Sequence, residues 1–163
     1  MRVVDGTDAT ARAEALWGRH AEELVRFATS IVGPTDAADL VSVAFVGAMT
    51  SGALARADEP RAYLYRCVLN AARSDVRSNE RRRRRERHVA PADIAAAPPD
   101  HDPEIWAALG RLSERQRAVV YLTYWMALAP EAVAELLDVS TGSVKQHLDR
   151  GRKALRTALG GTR

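Results

Sequence analysis

Cysteine is nearly missing from this chain of 163 residues; with Cys67 as its single thiol no internal disulfide can form, and a reducing cytoplasm is the expected setting. Aromatic residues make up only 6%, and much of the 47% apolar content is alanine, so any core is modest. No run of about eighteen apolar residues is present, which argues against direct membrane insertion. No charged segment followed by an apolar stretch opens the sequence, so no export is expected. Period-two alternation and fixed-length repeats are also missing, which leaves an all-α fold class. The chemistry-bearing patterns are equally sparse. His20, His88, His101 and His147 are scattered without ligand spacing, and there is no glycine-rich phosphate loop or nucleophile motif. An enzyme, a metal site, a cofactor and a small-molecule substrate are therefore not expected. Cys67 falls in an apolar helical stripe, where a lone thiol behaves as a small hydrophobe.

What is present is charge in particular places. The net charge of +3 hides an asymmetry: residues 1–60 carry 5 Arg against 9 acidic residues, residues 61–88 carry 10 Arg against 3, and residues 89–163 balance 9 cations against 9. Apolar residues at helical spacing (Leu16, Leu24, Phe27, Ile31) predict a first helix from Ala9 to Ile31, ending near Gly33-Pro34. A second helix is predicted from Asp36 to Met49, with a broad apolar face including Leu40, Val41, Ala44 and Phe45. Pro60 suits the first position of a third helix, whose buried stripe is predicted as Leu64, Cys67, Val68 and Ala71. On its other side Arg66, Asn70, Arg73 and Arg77 align at spacings of four, three and four and lead into Arg81 to Arg85, a continuous cationic track.

From Val89 the composition turns to Ala, Pro and Asp, and Pro91, Pro98, Pro99 and Pro103 exclude a helix, so 89–102 reads as an extended linker between two small helical domains, 1–88 and 103–163. In the second domain a short helix carries Ile105, Trp106, Leu109 and Leu112. Ser113 to Gln116 then forms a capping box for a helix bearing Val119, Val120, Leu122, Tyr124 and Trp125. Pro130 starts a short helix with Val133, Leu136 and Leu137 on one stripe. Asp138-Val139-Ser140 makes a turn in which a short polar residue tolerates a left-handed conformation and Ser140 caps the next helix. That next helix places Val144, Leu148, Leu155 and Leu159 on one face.

Its remaining surface is polar and basic: Thr141, Ser143, Lys145, Gln146, His147, Arg150, Arg152, Lys153 and Arg156. A basic surface alone is more often a solvated helix face. A short capped helix, a three-residue turn and a capped cationic helix together read as a DNA-binding helix-turn-helix. In that motif Thr141 to His147 meet base edges, and Arg150 to Arg156 fix register on phosphates.

The order of features over nearly the whole chain resembles a group IV (extracytoplasmic-function) sigma factor of bacterial RNA polymerase. Asp36-Ala-Ala-Asp-Leu-Val-Ser-Val-Ala-Phe45 is similar to that family's core-binding region and Arg61-Ala-Tyr-Leu-Tyr-Arg-Cys-Val-Leu-Asn70 to its −10 region. Leu112-Ser-Glu-Arg-Gln-Arg117, Val139-Ser-Thr-Gly-Ser-Val-Lys145 and Arg150-Gly-Arg152 are similar to its −35-binding domain. The resemblance implies a sigma-2-like bundle and a sigma-4-like helix-turn-helix in a dissociable subunit that binds core polymerase and directs initiation at −35 and −10 elements. It implies polymerase docking by Asp39, Leu40, Val41 and Phe45, and −10 contacts by Tyr63, Arg66, Asn70, Arg73 and Arg77. It implies −35 contacts by Thr141, Ser143, Lys145, Gln146, His147, Arg150 and Arg152, a base-capture loop between Gly52 and Pro60, and an anti-sigma partner. Leu40, Val41 and Phe45 read equally as core, and Tyr63 as a packing residue.

Departures from the family pattern are specific. Ser42-Val43 stands where Gln-Glu is frequent, Ala38 where Glu is frequent, Asp138 in place of a turn Gly, and His147 where Arg is common. Two other readings remain at this point. A helix-turn-helix regulator independent of core polymerase, such as a response regulator, would need a strand-containing receiver upstream. A protein-interaction module touching nucleic acid through its Arg run would bind without sequence preference and release with salt.

Overall fold

The computed structural model describes residues 6–86 and 102–160, with side chains described for 10–74 and 102–160. The expected linker 89–102 lies outside the described residues except for Asp102, and the Arg81 to Arg85 side chains lie outside them too. Every regular element described is a helix: α1 (Gly6–Val32), α2 (Ala37–Thr50), α3 (Ala53–Arg56), α4 (Pro60–Glu86), α5 (Pro103–Gly110), α6 (Glu114–Tyr124), α7 (Pro130–Leu137) and α8 (Thr141–Gly160). No single helix among the described residues is long and apolar enough to cross a membrane.

Local chemistry sets the boundaries. Gly33 takes φ 93 after α1, and Gly52 takes φ 67 between α2 and α3, both left-handed conformations that glycine adopts without steric cost. The Asp102 carboxylate accepts the Glu104 amide at 2.8 Å, and Pro103 fills the first turn of α5 where no amide donor is needed. The capping box of α6 is complete. Ser113 Oγ accepts the Gln116 amide at 3.3 Å while Gln116 Oε1 accepts the Ser113 amide at 3.0 Å.

α1, α2 and α4 pack around Leu24, Phe27, Ile31, Val41, Phe45, Leu64, Tyr65 and Val68. The third-helix stripe differs from the expected one. Leu64 and Val68 are buried, but Tyr65, Leu69 and Ala72 join them, while Cys67 and Ala71 are only partly buried. The buried arc is therefore rotated toward the side that meets α1. α5 to α8 pack around Trp106, Leu109, Val119, Val120, Leu122, Val133, Leu137, Val144 and Leu148.

The two cores join. α1 and α4 pack on α6 and α7, and Phe27 bridges both halves, with its ring centroid 4.8 Å from Tyr65 and 5.8 Å from Tyr121. Beside it Glu23 accepts two bonds from Arg61, at 2.9 and 3.0 Å, and lies 2.7 Å from His20 Nδ1. Burial alone would raise the Glu23 pKa, but the bonds and charges of Arg61 and His20 outweigh it and hold the carboxyl below its ordinary range.

Candidate nucleic-acid and polymerase interfaces

The helix-turn-helix closes on a left-handed residue. Asp138 ends α7 at φ 54, ψ 54, its amide bonded back to α7 carbonyls, and Val139 donates to Ala134 O at 3.0 Å. Ser140 Oγ then accepts the Ser143 amide at 3.1 Å and starts α8. α8 rests on α6 through Val144, Leu148 and Gly151. A Cβ on Gly151 would stand 3.1 Å from Val120 Cγ2, so glycine lets the two helices approach closely at this point.

With about 3.6 residues per turn, the expected −35 contacts fall into separate rows of α8. Ser143, His147 and Arg150 share one flank, which adjoins Arg115 of α6, since both Arg115 and Arg150 depress the His147 pKa. Burial is the larger cause of that depression, and it favours a neutral imidazole. Lys145, Arg152 and Arg156 form the opposite flank. There Arg152 Nε donates to Tyr124 Oη at 2.6 Å, and its guanidinium lies 5.7 Å from the Tyr124 ring centroid. Gln146 is exposed between the flanks, and Thr141 is partly buried at the start of the helix. Sequence spacing does not reveal Arg115 and Tyr124 as neighbours of this surface. Arg115 sits inside a capping box, and Tyr124 lies 28 residues from the arginine it holds.

On α4, Arg66, Asn70 and Arg73 occupy the face away from the Leu64–Tyr65–Val68 stripe, with Asn70 exposed. Arg77 continues on the same helix, its side chain outside the described residues. Tyr63 is partly buried; the Arg66 guanidinium is 6.0 Å from its ring centroid, and Cys67 is its neighbour on the helix. Burial raises the pKa of the Cys67 thiol, against a partial lowering by Tyr63 and Arg66, which favours the protonated thiol over the thiolate. Tyr63 and Arg66 open onto a cleft of about 780 Å³ whose other walls are α3 and the turn to α4, with Arg56, Asp58 and Glu59, and α7, with Ala132, Glu135 and Leu136. The four-residue α3 had no counterpart in the sequence reading, being too short to show a period.

Of the four expected docking residues of α2, two are buried. Val41 is 0% exposed and Phe45 7%, the latter edge-on to Trp17 with ring centroids 4.9 Å apart. Both are core side chains, because the α2 face they share is the one covered by α1 and α4. Leu40 is partly buried and Asp39 is exposed. The apolar residues α2 does present are Val43 at 70%, Val46 at 57% and Met49. Val43 and Val46 lie four and seven positions after Asp39, hence on its face. Their signal in the sequence was an α2 with more apolar residues than one buried face accommodates.

Comparison with known proteins bears on both halves. Residues 16–82 match the family described as Sigma-70 region 2, and residues 103–155 match Sigma-70, region 4. Among solved structures, the chain is similar to the sigma factor RpoE from Bartonella quintana, crystallised in complex with the anti-sigma factor NepR. The TM-score is 0.72 at 22% identity, over 92% of this chain and 98% of that one. With regions 2 and 4 following one another and an all-α fold shared over nearly its full length, the chain belongs to the sigma-70 family, in the two-domain group IV arrangement.

Proposed function

We propose that this chain works in the cytoplasm as a dissociable initiation subunit, with residues 1–88 and 103–163 as its two domains. It docks on core polymerase through the exposed α2 face of Asp39, Val43, Val46 and Met49. It reads the −10 element with the Arg66–Asn70–Arg73 face of α4 and the adjoining cleft, and the −35 element with the N-terminal turns of α8. The chain supplies binding only; the chemistry is the polymerase's. One observation carries the reading. A capped helix-turn-helix with a cationic second helix and a separate Arg-Asn-Arg helix face occur in one chain with regions 2 and 4.

The closed packing of the halves adds a step. Elements centred near −35 and −10 are about 25 base pairs apart, roughly 85 Å of duplex at about 3.4 Å per pair. A compact chain of this length has a radius of gyration of roughly 15 Å. The packed form is too short to reach both elements, so α6 and α7 must leave α1 and α4 when promoter is engaged. An anti-sigma protein would gain by holding the halves together, and NepR is bound to the RpoE chain that this fold resembles.

The test is run-off transcription with purified core polymerase on a pool of promoter fragments, with and without the chain, reading the transcript starts. Starts that require the chain and share motifs near −35 and −10 are the expected result. Sequence-specific duplex binding by the chain alone, with no stimulation of core polymerase, would instead favour an ordinary helix-turn-helix regulator.

A further inference from the structure

Where α1 meets α5 and α6 the two halves leave a cavity of about 290 Å³, at the small end of the range for ligand sites (roughly 300–1,000 Å³). Its walls are mostly apolar: Trp106, Leu109, Val120, and Tyr121 stacked with Trp125 at an interplanar angle of 7°. Trp125 is half-exposed and stands at the rim. No carboxylate is among the lining residues; the charged ones are Arg26 and Arg117. Thr29 and Ser30 line the α1 side, and their hydroxyls already donate to Val25 O and Phe27 O.

Arg117 is the unusual member. It is only 8% exposed, its Nε has no hydrogen-bond partner, and its nearest acid, Glu114, stands 4.0 Å from Nη2, beyond hydrogen-bond length. Burial lowers the Arg117 pKa, with Glu114 compensating only in part. A guanidinium still stays protonated, and leaving it buried and underpartnered is costly. The fold has thus placed a buried, underpartnered guanidinium in the wall of an aromatic cavity.

We propose that this cavity binds a small amphipathic carboxylate, with the carboxylate on Arg117 and the apolar body between Tyr121, Trp125 and Trp106. A carboxylate matches the guanidinium fork with paired bonds. A phosphate brings about twice the charge and more acceptors than an apolar cavity with one buried guanidinium can satisfy. The volume suits a chain of about eight to ten carbons or one aryl ring, below the drug-sized range. Because α1 belongs to region 2 and α5 and α6 to region 4, such a ligand binds only the packed form and stabilises it by mass action. Resting on the initiation role proposed above, the ligand then acts as a chemical brake on opening.

The experiment titrates octanoate into the full chain, following tryptophan fluorescence and isothermal titration calorimetry, with octanol as the neutral analogue. Saturable one-to-one binding is expected, with octanol weaker by about tenfold or more, since a hydrogen bond to a charged group is at stake. Trp125→Phe and Trp106→Phe should each reduce the fluorescence change, and Trp17→Phe should leave it. Arg117→Met should abolish the preference for octanoate over octanol. Ser30→Leu, which fills the cavity from the opposite wall and leaves Arg117 in place, should abolish binding with an unchanged circular-dichroism melt. Equal affinity for octanoate and octanol, undiminished binding in Ser30→Leu, or no binding up to the solubility limit would overturn the proposal. Run-off transcription without octanoate is scored separately, so a chain that stimulates polymerase but ignores octanoate refutes the ligand site alone.

Discussion

At the residue scale, the proposed −35 role predicts that reading a base and holding a phosphate are separable on α8. Gln146 is exposed between the two basic flanks, where it can reach base edges. Gln146→Ala is expected to cost about 1–3 kcal/mol of discrimination at one or two −35 positions, measured by binding to a randomised −35 library. Arg152→Ala should weaken all sequences alike and lower the salt slope by about one. Tyr124→Phe removes the hydroxyl that orients Arg152 and should reproduce part of that uniform loss; a change of sequence preference in either variant would show that Arg152 faces bases. Gly151 poses a packing question. Gly151→Leu forces a side chain against Val120 and Leu112 and should destabilise the protein by about 1–3 kcal/mol in thermal or denaturant melts.

At the element scale, the attachment of α4 to α1 by Glu23, Arg61 and His20 makes part of the stability depend on pH. The Glu23 pKa is lowered in the folded chain, so the unfolded chain takes up that proton first as pH falls. The contribution is therefore complete above the ordinary glutamate value of 4.5 and is lost as pH drops through the lowered folded value. Melts from neutral pH downward should show an acid-side loss of stability that is smaller in Glu23→Gln, a variant already weaker at neutral pH. If the wild type and Glu23→Gln lost stability in parallel, the pairing would carry no net energy. α2 illustrates another division within one element, with Val41 and Phe45 inward and Val43 and Val46 outward. Val46→Glu should leave the melt nearly unchanged and reduce affinity for core polymerase; a large loss of stability would mean that Val46 is a packing residue.

At the scale of the whole molecule, the proposed initiation role requires a working form that differs from the packed one. A fluorophore pair on exposed positions of α2 and α8 should report high transfer efficiency in the free chain and a fall when core polymerase and promoter are both added. Transfer that stays high in a transcriptionally active complex would refute the opening step. On that proposal the joined aromatic cluster of Phe27, Tyr65 and Tyr121, with ring centroids 4.8 and 5.8 Å apart, is the contact that must break for the halves to part. Tyr121→Ala removes one ring of it and should shift the free chain toward lower transfer efficiency.

The sequence by itself determined the described helices other than α3, the capping box, the helix-turn-helix with its left-handed Asp138, and the cationic side of α4, because caps, turn residues and 3.6-residue periodicity are local physics. It also carried the family, since those local features recur in a fixed order. Only the tertiary structure decided which apolar face of α2 is spent on the core, because the period of an all-round apolar helix does not say which side a neighbour covers. The same holds for Arg152 against Tyr124, Arg117 in an aromatic cavity, and α7 across the cleft from Tyr63. Each depends on residues far apart in the chain, brought together by packing energies that no local pattern records.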